Sequence, residues 1–274
     1  MPFMQMSIRL RFPYGKILEG KREMAKIYHY TNINTLALIL QNRTIRFNRL
    51  DCVDDPDEFD FEHEGLSPAV YFYTSCWTRN ENESLPQWSM YGHNNHGVRI
   101  ALEEDMFELF EVRGRKCFLP EKENLGKNDF VILPNLSDNQ SSIKDIVYVD
   151  DPTVYRNEIA GKSGGKSFVN FKKLGLYKSK DWEFQKECRI TITILPKIGT
   201  QGGRHMPIQH ALEHNIQNDF TYYDLGLKND VYQNMEIMLG PSTSLSEKLI
   251  VKSLMSKYLG REDCQESKYT GKTK

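Results

Sequence analysis

Apolar and polar positions alternate in short bursts along this chain, and the bursts set its elements. Residues 25–31 (AKIYHYT) are rich in Ile and Tyr and read as a strand. Asn32 or Asn34 then offers an N-cap, and Leu36, Ile39 and Leu40 follow at the i, i+3, i+4 spacing of one helix face. That helix ends near Gln41-Asn42, and residues 44–48 (TIRFN) return to strand character. The first strand ends on the polar cluster His29-Tyr30-Thr31.

The same periodicities predict strands at 70–77 (VYFYTSCW), 97–102, 145–149, 187–195 (ECRITITIL) and 235–239, with helices at 85–91 and 245–258. Eight carboxylates fall within 51–64 around Pro56 without an apolar period. Burying so many would cost too much, so that stretch is an exposed loop. Residues 110–142 carry Pro120, Pro134 and a Ser/Asn/Asp patch and read as a variable insertion. Short strands mixed with short helices, without regular βαβ alternation, define an α+β fold class. The chain divides into an N-terminal arm (1–25), one α+β domain (26–258) and a polar tail (259–274) expected to fray.

Composition narrows the function classes. With 274 residues, 39% of them hydrophobic and 27% charged, the chain can bury a large core without disulfides or metal. Lys and Arg number 36 against 37 Asp and Glu, so no global positive field draws in nucleic acid or an anionic membrane. A nucleic-acid partner would need a local patch, for which Lys162, Lys166, Lys172, Lys173, Lys178 and Lys180 are the nearest set. Five scattered cysteines without a C-x-x-C pair imply reduced thiols and a cytoplasmic location. Arg9, Arg11 and Pro13 interrupt any early apolar run, so neither a secretion signal nor a membrane partner is expected.

Three motifs fall short of chemistry. Residues 160–167 (AGKSGGKS) end like a phosphate-binding loop, but Ala160 stands where the opening glycine belongs, and a flexible exposed loop is the simpler reading. His93 and His96 lack the further ligands that zinc requires. The acidic loop lacks the glycine of a calcium loop, so no metal is expected.

Two resemblances go further. The segment IYHYTNINTLALILQNRTIRF resembles the opening of the ADP-ribosyltransferase superfamily, above all its DNA-modifying toxins and the RNA 2'-phosphotransferases, where a strand with His-x-Thr precedes a short helix. Several islands, taken in order, resemble the bacterial family known as domain of unknown function 2971. These are Asp54-Asp55-Pro56-Asp57-Glu58, Trp88-Ser89-Met90-Tyr91 with Asn95-His96-Gly97, KSKDWEFQKECRI at 178–190, and Leu239-Gly240-Pro241. Asp54 replaces that family's usual Asn, Gln87 its Met, and Gln185 the first of its two late glutamates, while Glu187 and Arg189 are kept.

The superfamily resemblance implies a split β-sheet core with NAD, as substrate, in the cleft between the halves. It implies cleavage of the nicotinamide–ribose bond and an acceptor that is nucleic acid or protein, in a toxin or phage-defence effector. Glu187 would be the catalytic carboxylate near the ribose, where positive charge develops, with His29 across the cleft. His29, Tyr30 and Thr31 would hold the NAD, and Tyr73, Trp88 and Tyr91 offer aromatic faces for its nicotinamide. Arg189, two residues from Glu187 and on the same strand face, could grip a phosphate or place the acceptor. Two alternatives stand beside this. One is a non-catalytic domain sensing a nucleotide or a partner; the other is a nucleic-acid-processing enzyme using His29 and Glu187 as acid and base.

Overall fold

The computed structural model of the protein describes residues 25–55, 67–112, 114–125, 129–133, 143–163, 166–197, 210–211, 214 and 216–272. The predicted arm apart from Ala25, most of the acidic stretch and parts of the insertion lie outside the described residues.

The first unit folds as its periodicity dictates. After β1 (Lys26–Thr31), Asn32 caps α1 (Ile33–Asn42), its Oδ1 accepting from the Thr35 N–H at 2.7 Å, a contact worth about 1 kcal/mol. Leu36, Ile39 and Leu40 are the buried face of α1. Arg43, in the left-handed conformation at φ 57°, ends the helix and turns the chain into β2 (Thr44–Arg49). β3 (Phe72–Thr78) starts later than its apolar run because a 3-10 turn, Pro68–Tyr71, takes up Val70 and Tyr71. α2 (Leu85–Met90) is capped by Ser84 and precedes β4 (Val98–Glu103).

Smaller pieces follow. β5 (Phe110–Val112) pairs with β6 (Arg115–Cys117), and α3 (Glu121–Leu125), β7 (Phe130–Ile132), β8 (Ile143–Asp145), β9 (Val147–Val149) and α4 (Arg156–Ile159) come next. β10 (Ala160–Ser163) and β11 (Lys166–Val169) pair antiparallel, so the Gly/Lys segment is a hairpin rather than a loop. A strand follows it instead of a helix, and a phosphate cradle would lack its helix N-terminus. β12 (Tyr177–Ser179), β13 (Glu187–Pro196), β14 (Tyr222–Gly226), α5 (Asn229–Gln233), β15 (Glu236–Leu239), α6 (Leu245–Leu259) and β16 (Gln265–Glu266) complete the order.

Among the described residues, ten strands form one mixed sheet in the order β14-β2-β3-β1-β4-β15-β16, with β13 also paired to β3 and, farther out, to β7 and β8. β13 spans β3 from Thr193 opposite Phe72 to Glu187 opposite Thr78, and so occupies one whole edge. The other edge of β3 is shared. β2 meets Tyr73 and Thr74 there, and β1 meets only Thr78. Both run antiparallel to β3, so β1 and β2 are parallel to each other and part company along Ser75, Cys76 and Trp77. This gap positions the site described below.

Ile27, Leu36, Leu40, Phe47, Ile100, Ile190 and Ile192 form the centre of the main core, and α6 packs on α1. β13 is buried along almost its whole length and is no edge strand, although its Ile/Thr alternation suits one, since β3 pairs with one of its edges and β7 and β8 with the other. The tail expected to fray is instead docked through residues 265–268. β16 pairs with β15, and the Glu83 carboxylate accepts from the Lys268 N–H at 2.9 Å and from the Ser267 hydroxyl. All five cysteines carry free thiols, and no described helix is long and apolar enough to cross a membrane.

Candidate functional site

A cavity of ≈ 230 Å³ opens at the gap between β1 and β2, with His29, Tyr30, Tyr91, Gln185, Glu187 and Arg189 in its wall. A second cavity, of ≈ 410 Å³, shares His29, Tyr30, Cys76 and Tyr91 with it and continues past Thr31 along α1.

Strand register sets the directions. Tyr28, Thr78 and Glu187 lie opposite one another across β1, β3 and β13, and Cys76 lies opposite Arg189. Directly paired residues share a face, so Glu187 and Arg189 point the same way, as the two-residue period predicts. Strict alternation would turn His29 to the other face. β1 leaves β3 beyond the Tyr28–Thr78 pair, however, and the His29 ring fills the start of the gap. Its Nδ1 lies 2.9 Å from the Cys76 carbonyl oxygen, and the ring tilts against Trp77 at 5.2 Å. A carbonyl only accepts, so Nδ1 carries the proton and Nε2 is left as an acceptor. Burial pushes the imidazole below its ordinary pKa, against the smaller opposing effect of the Cys76 bond, and keeps it neutral near pH 7.

Glu187 is 6% exposed and held from both sides. Arg189 donates from Nε to Oε1, and Lys178 donates from Nζ to Oε2 at 3.0 Å. Burial alone would raise the carboxyl pKa; the Arg189 and Lys178 charges outweigh it and hold the group at about 2. The Lys178 ammonium also lies 4.9 Å from the centre of the Trp182 ring. Arg189 donates from Nη1 to the Gly175 carbonyl at 3.2 Å. The guanidinium fork expected to grip a phosphate is thus turned inward, since a buried cation needs its partners close by.

The other expected residues divide. Tyr30 is buried beside the cavity, its hydroxyl accepting from the Ser84 N–H at 3.0 Å, and Thr31 lines the second cavity. Tyr91 lines both cavities and its hydroxyl accepts from Gln185 Nε2 at 2.6 Å. Tyr73 and Trp88 correct the expectation: both are fully enclosed and present no face to a ligand. The Tyr73 hydroxyl donates to the Phe220 carbonyl at 3.0 Å, and the Trp88 indole donates to Glu83 at 2.9 Å with its ring edge-on to Tyr30.

Three of the six lysines expected in a basic patch are paired with carboxylates. Lys178 is buried on Glu187, Lys173 pairs with Glu158 and Lys180 with Asp150, while the side chains of Lys162 and Lys166 lie outside the described residues. His93, Asn94 and Asn95 form a left-handed turn, and His96 meets the Glu247 carboxylate at 3.1 Å. Among the described residues, no cluster of His, Cys, Asp and Glu could hold a metal ion. Asp54 lines the first cavity, whereas Pro56, Asp57 and Glu58 lie outside the described residues.

Sequence reasoning missed Tyr28, Trp77, Lys178 and Gln185 as cavity residues. Lys178 and Gln185 carried one usable signal, since both fall in the island around Trp182 that also holds Glu187. No family model matches the chain, and no curated protein and no solved structure matches it.

Proposed function

We propose that the protein is an NAD-dependent, ADP-ribosyltransferase-like enzyme that cleaves the nicotinamide–ribose bond, built like the family known as domain of unknown function 2971. One observation carries this reading. Glu187 and His29, distant in sequence, line a single cavity at the point where two parallel strands separate. In this reading that gap is the split of the sheet core. The two adjoining cavities together fall within the ~300–1,000 Å³ common for ligand sites.

When the bond breaks, its electron pair leaves with nicotinamide and the ribose carbon becomes cationic. A carboxylate held at about 2 stays ionised throughout the physiological range, so Glu187 acts as an electrostatic stabiliser and a hydroxyl acceptor. Arg189, Lys178 and the Cys76 thiol together engage its two oxygens, which offer about four sites in all, leaving capacity for a ribose hydroxyl. Nε2 of neutral His29 supplies a second acceptor, and Tyr28 and Tyr91 supply aromatic surface for the nicotinamide. The same ionisation argues against the acid–base nuclease reading, because a group so acidic is a poor proton carrier near pH 7.

A second reading, a domain that senses a nucleotide or a partner without turnover, is favoured by the charge cluster itself. Two buried cations already balance Glu187 and would blunt its effect on a ribosyl cation. Incubation with NAD labelled in the nicotinamide, alone and with DNA, RNA or protein, separates the two. Release of labelled nicotinamide that depends on one acceptor, with the ADP-ribosyl mass appearing on that acceptor, supports the enzyme and names the acceptor. Saturable NAD binding without release under any condition supports the sensor.

A further inference from the structure

We infer that the side-chain carbonyl of Gln185 is the group that reads a planar ligand in this cavity, by accepting a hydrogen bond from an amide N–H. The inference rests on the NAD reading only in identifying that amide as the carboxamide of nicotinamide.

Gln185 closes the 3-10 turn Lys180–Gln185 that leads into β13, two residues ahead of Glu187, and it is 5% exposed. Its position is fixed at both ends. The backbone carbonyl accepts from Gln87 Nε2 at 2.6 Å, and the side-chain Nε2 donates to the Tyr91 hydroxyl at 2.6 Å. Lys186, left-handed at φ 44°, fixes the turn that follows. Oε1 of the same amide is buried and has no hydrogen-bond partner among the described residues, although the residue lines the cavity. Buried carbonyl oxygens are nearly always satisfied, so one held rigidly at a cavity wall is explained by a donor that arrives with a ligand.

The neighbourhood narrows the donor's chemistry. Tyr28, Trp77 and Tyr91 border the same cavity, which suits a flat ring with an N–H at its edge. The volume of ≈ 230 Å³ suits a ring and a sugar at this end. If the amide were reversed, Nε2 would be the group without a partner and a carboxylate would be the better ligand. The inference therefore predicts a sign of selectivity.

The test is calorimetric titration of the full chain with NAD and with its nicotinic acid counterpart, which differs only in carrying a carboxylate in place of the carboxamide. Wild type should bind NAD about tenfold or more tightly than the acid form. In Gln185→Met, of similar size but without the carbonyl, the two affinities should converge through weaker NAD binding. Gln185→Glu keeps an acceptor that the Tyr91 hydroxyl can support, and should retain the preference for the amide. Equal affinities in wild type, a preference for the acid, or an amide preference that survives in Gln185→Met would overturn the role of Gln185 while leaving the NAD reading in place. If wild type binds neither dinucleotide, both fall.

Discussion

Lys178 Nζ lies 3.0 Å from Glu187 Oε2, and both side chains are almost closed to solvent, at 7% and 5% exposure. With Arg189 on the other carboxylate oxygen, the three charges stand or fall together. Glu187→Gln would remove the carboxylate that these two buried cations share. Breaking such a buried set is expected to cost about 3–5 kcal/mol. Urea unfolding at pH 7 measures it, and a loss below about 1 kcal/mol would mean that the cluster is solvated and behaves like a surface pair.

The same carboxylate gives the protein an acid limb. Its folded pKa, about 2, lies below the ordinary value of 4.5, so its contribution is complete above about pH 5 and is lost as pH falls towards 2. The contribution is on the order of 3 kcal/mol. The stability gap between wild type and Glu187→Gln should therefore narrow between pH 5 and pH 3 in paired urea titrations. A gap that stays constant over that window would show that Glu187 is not the group responsible.

His29 titrates in the opposite sense to a paired histidine. Burial lowers its pKa, so charging the ring favours the unfolded chain, and this part of the stability is lost as pH falls below the ordinary value of 6.5. Long-range 1H–15N NMR spectra at pH 7 should show His29 neutral, with the proton on Nδ1 and a midpoint below 6.5. A proton on Nε2 instead of Nδ1 would contradict the bond to the Cys76 carbonyl, and a midpoint above 6.5 would contradict the burial of the ring.

How much of this was legible in the sequence depends on how local the cause is. β1, α1 and β2 follow from the spacing of Leu36, Ile39 and Leu40 and from the Asn32 cap, all within a few residues of where they act. The pairing of Glu187 and Arg189 on one face follows from the period of a strand. The gap that brings His29 to the same cavity does not, because it arises where two strands share one edge of a third. Periodicity could not separate Tyr73 from Tyr91, since β3 is covered on both faces and a tyrosine in it has nowhere to reach solvent. Lys178 looks like one more surface lysine until the fold sets it against Glu187. The polar tail looks frayed because the groups that hold it, on Glu83 and β15, lie far away in the chain.

That tail gives a separate prediction. The Glu83 carboxylate accepts from the Trp88 indole, the Ser267 hydroxyl and the Lys268 N–H, tying the C-terminal segment to the helix that carries Gln87. Glu83→Ala should cost about 1–3 kcal/mol and release the tail. Hydrogen exchange at 265–272 should then accelerate while the amides of β13 keep their protection. Unchanged exchange at 265–272 would show that the β15–β16 pairing holds the tail without Glu83.

The central claim is that Glu187 stabilises a ribosyl cation formed from NAD in the cavity beside His29. The most direct measurement is the rate of nicotinamide release from NAD by wild type and by Glu187→Gln, below the temperature at which the variant begins to melt. The claim predicts release by wild type and a fall of about 10²–10³-fold in the variant, the usual consequence of removing one preorganised electrostatic contact. Equal rates in the two folded proteins, or no release by wild type with any acceptor, would contradict it.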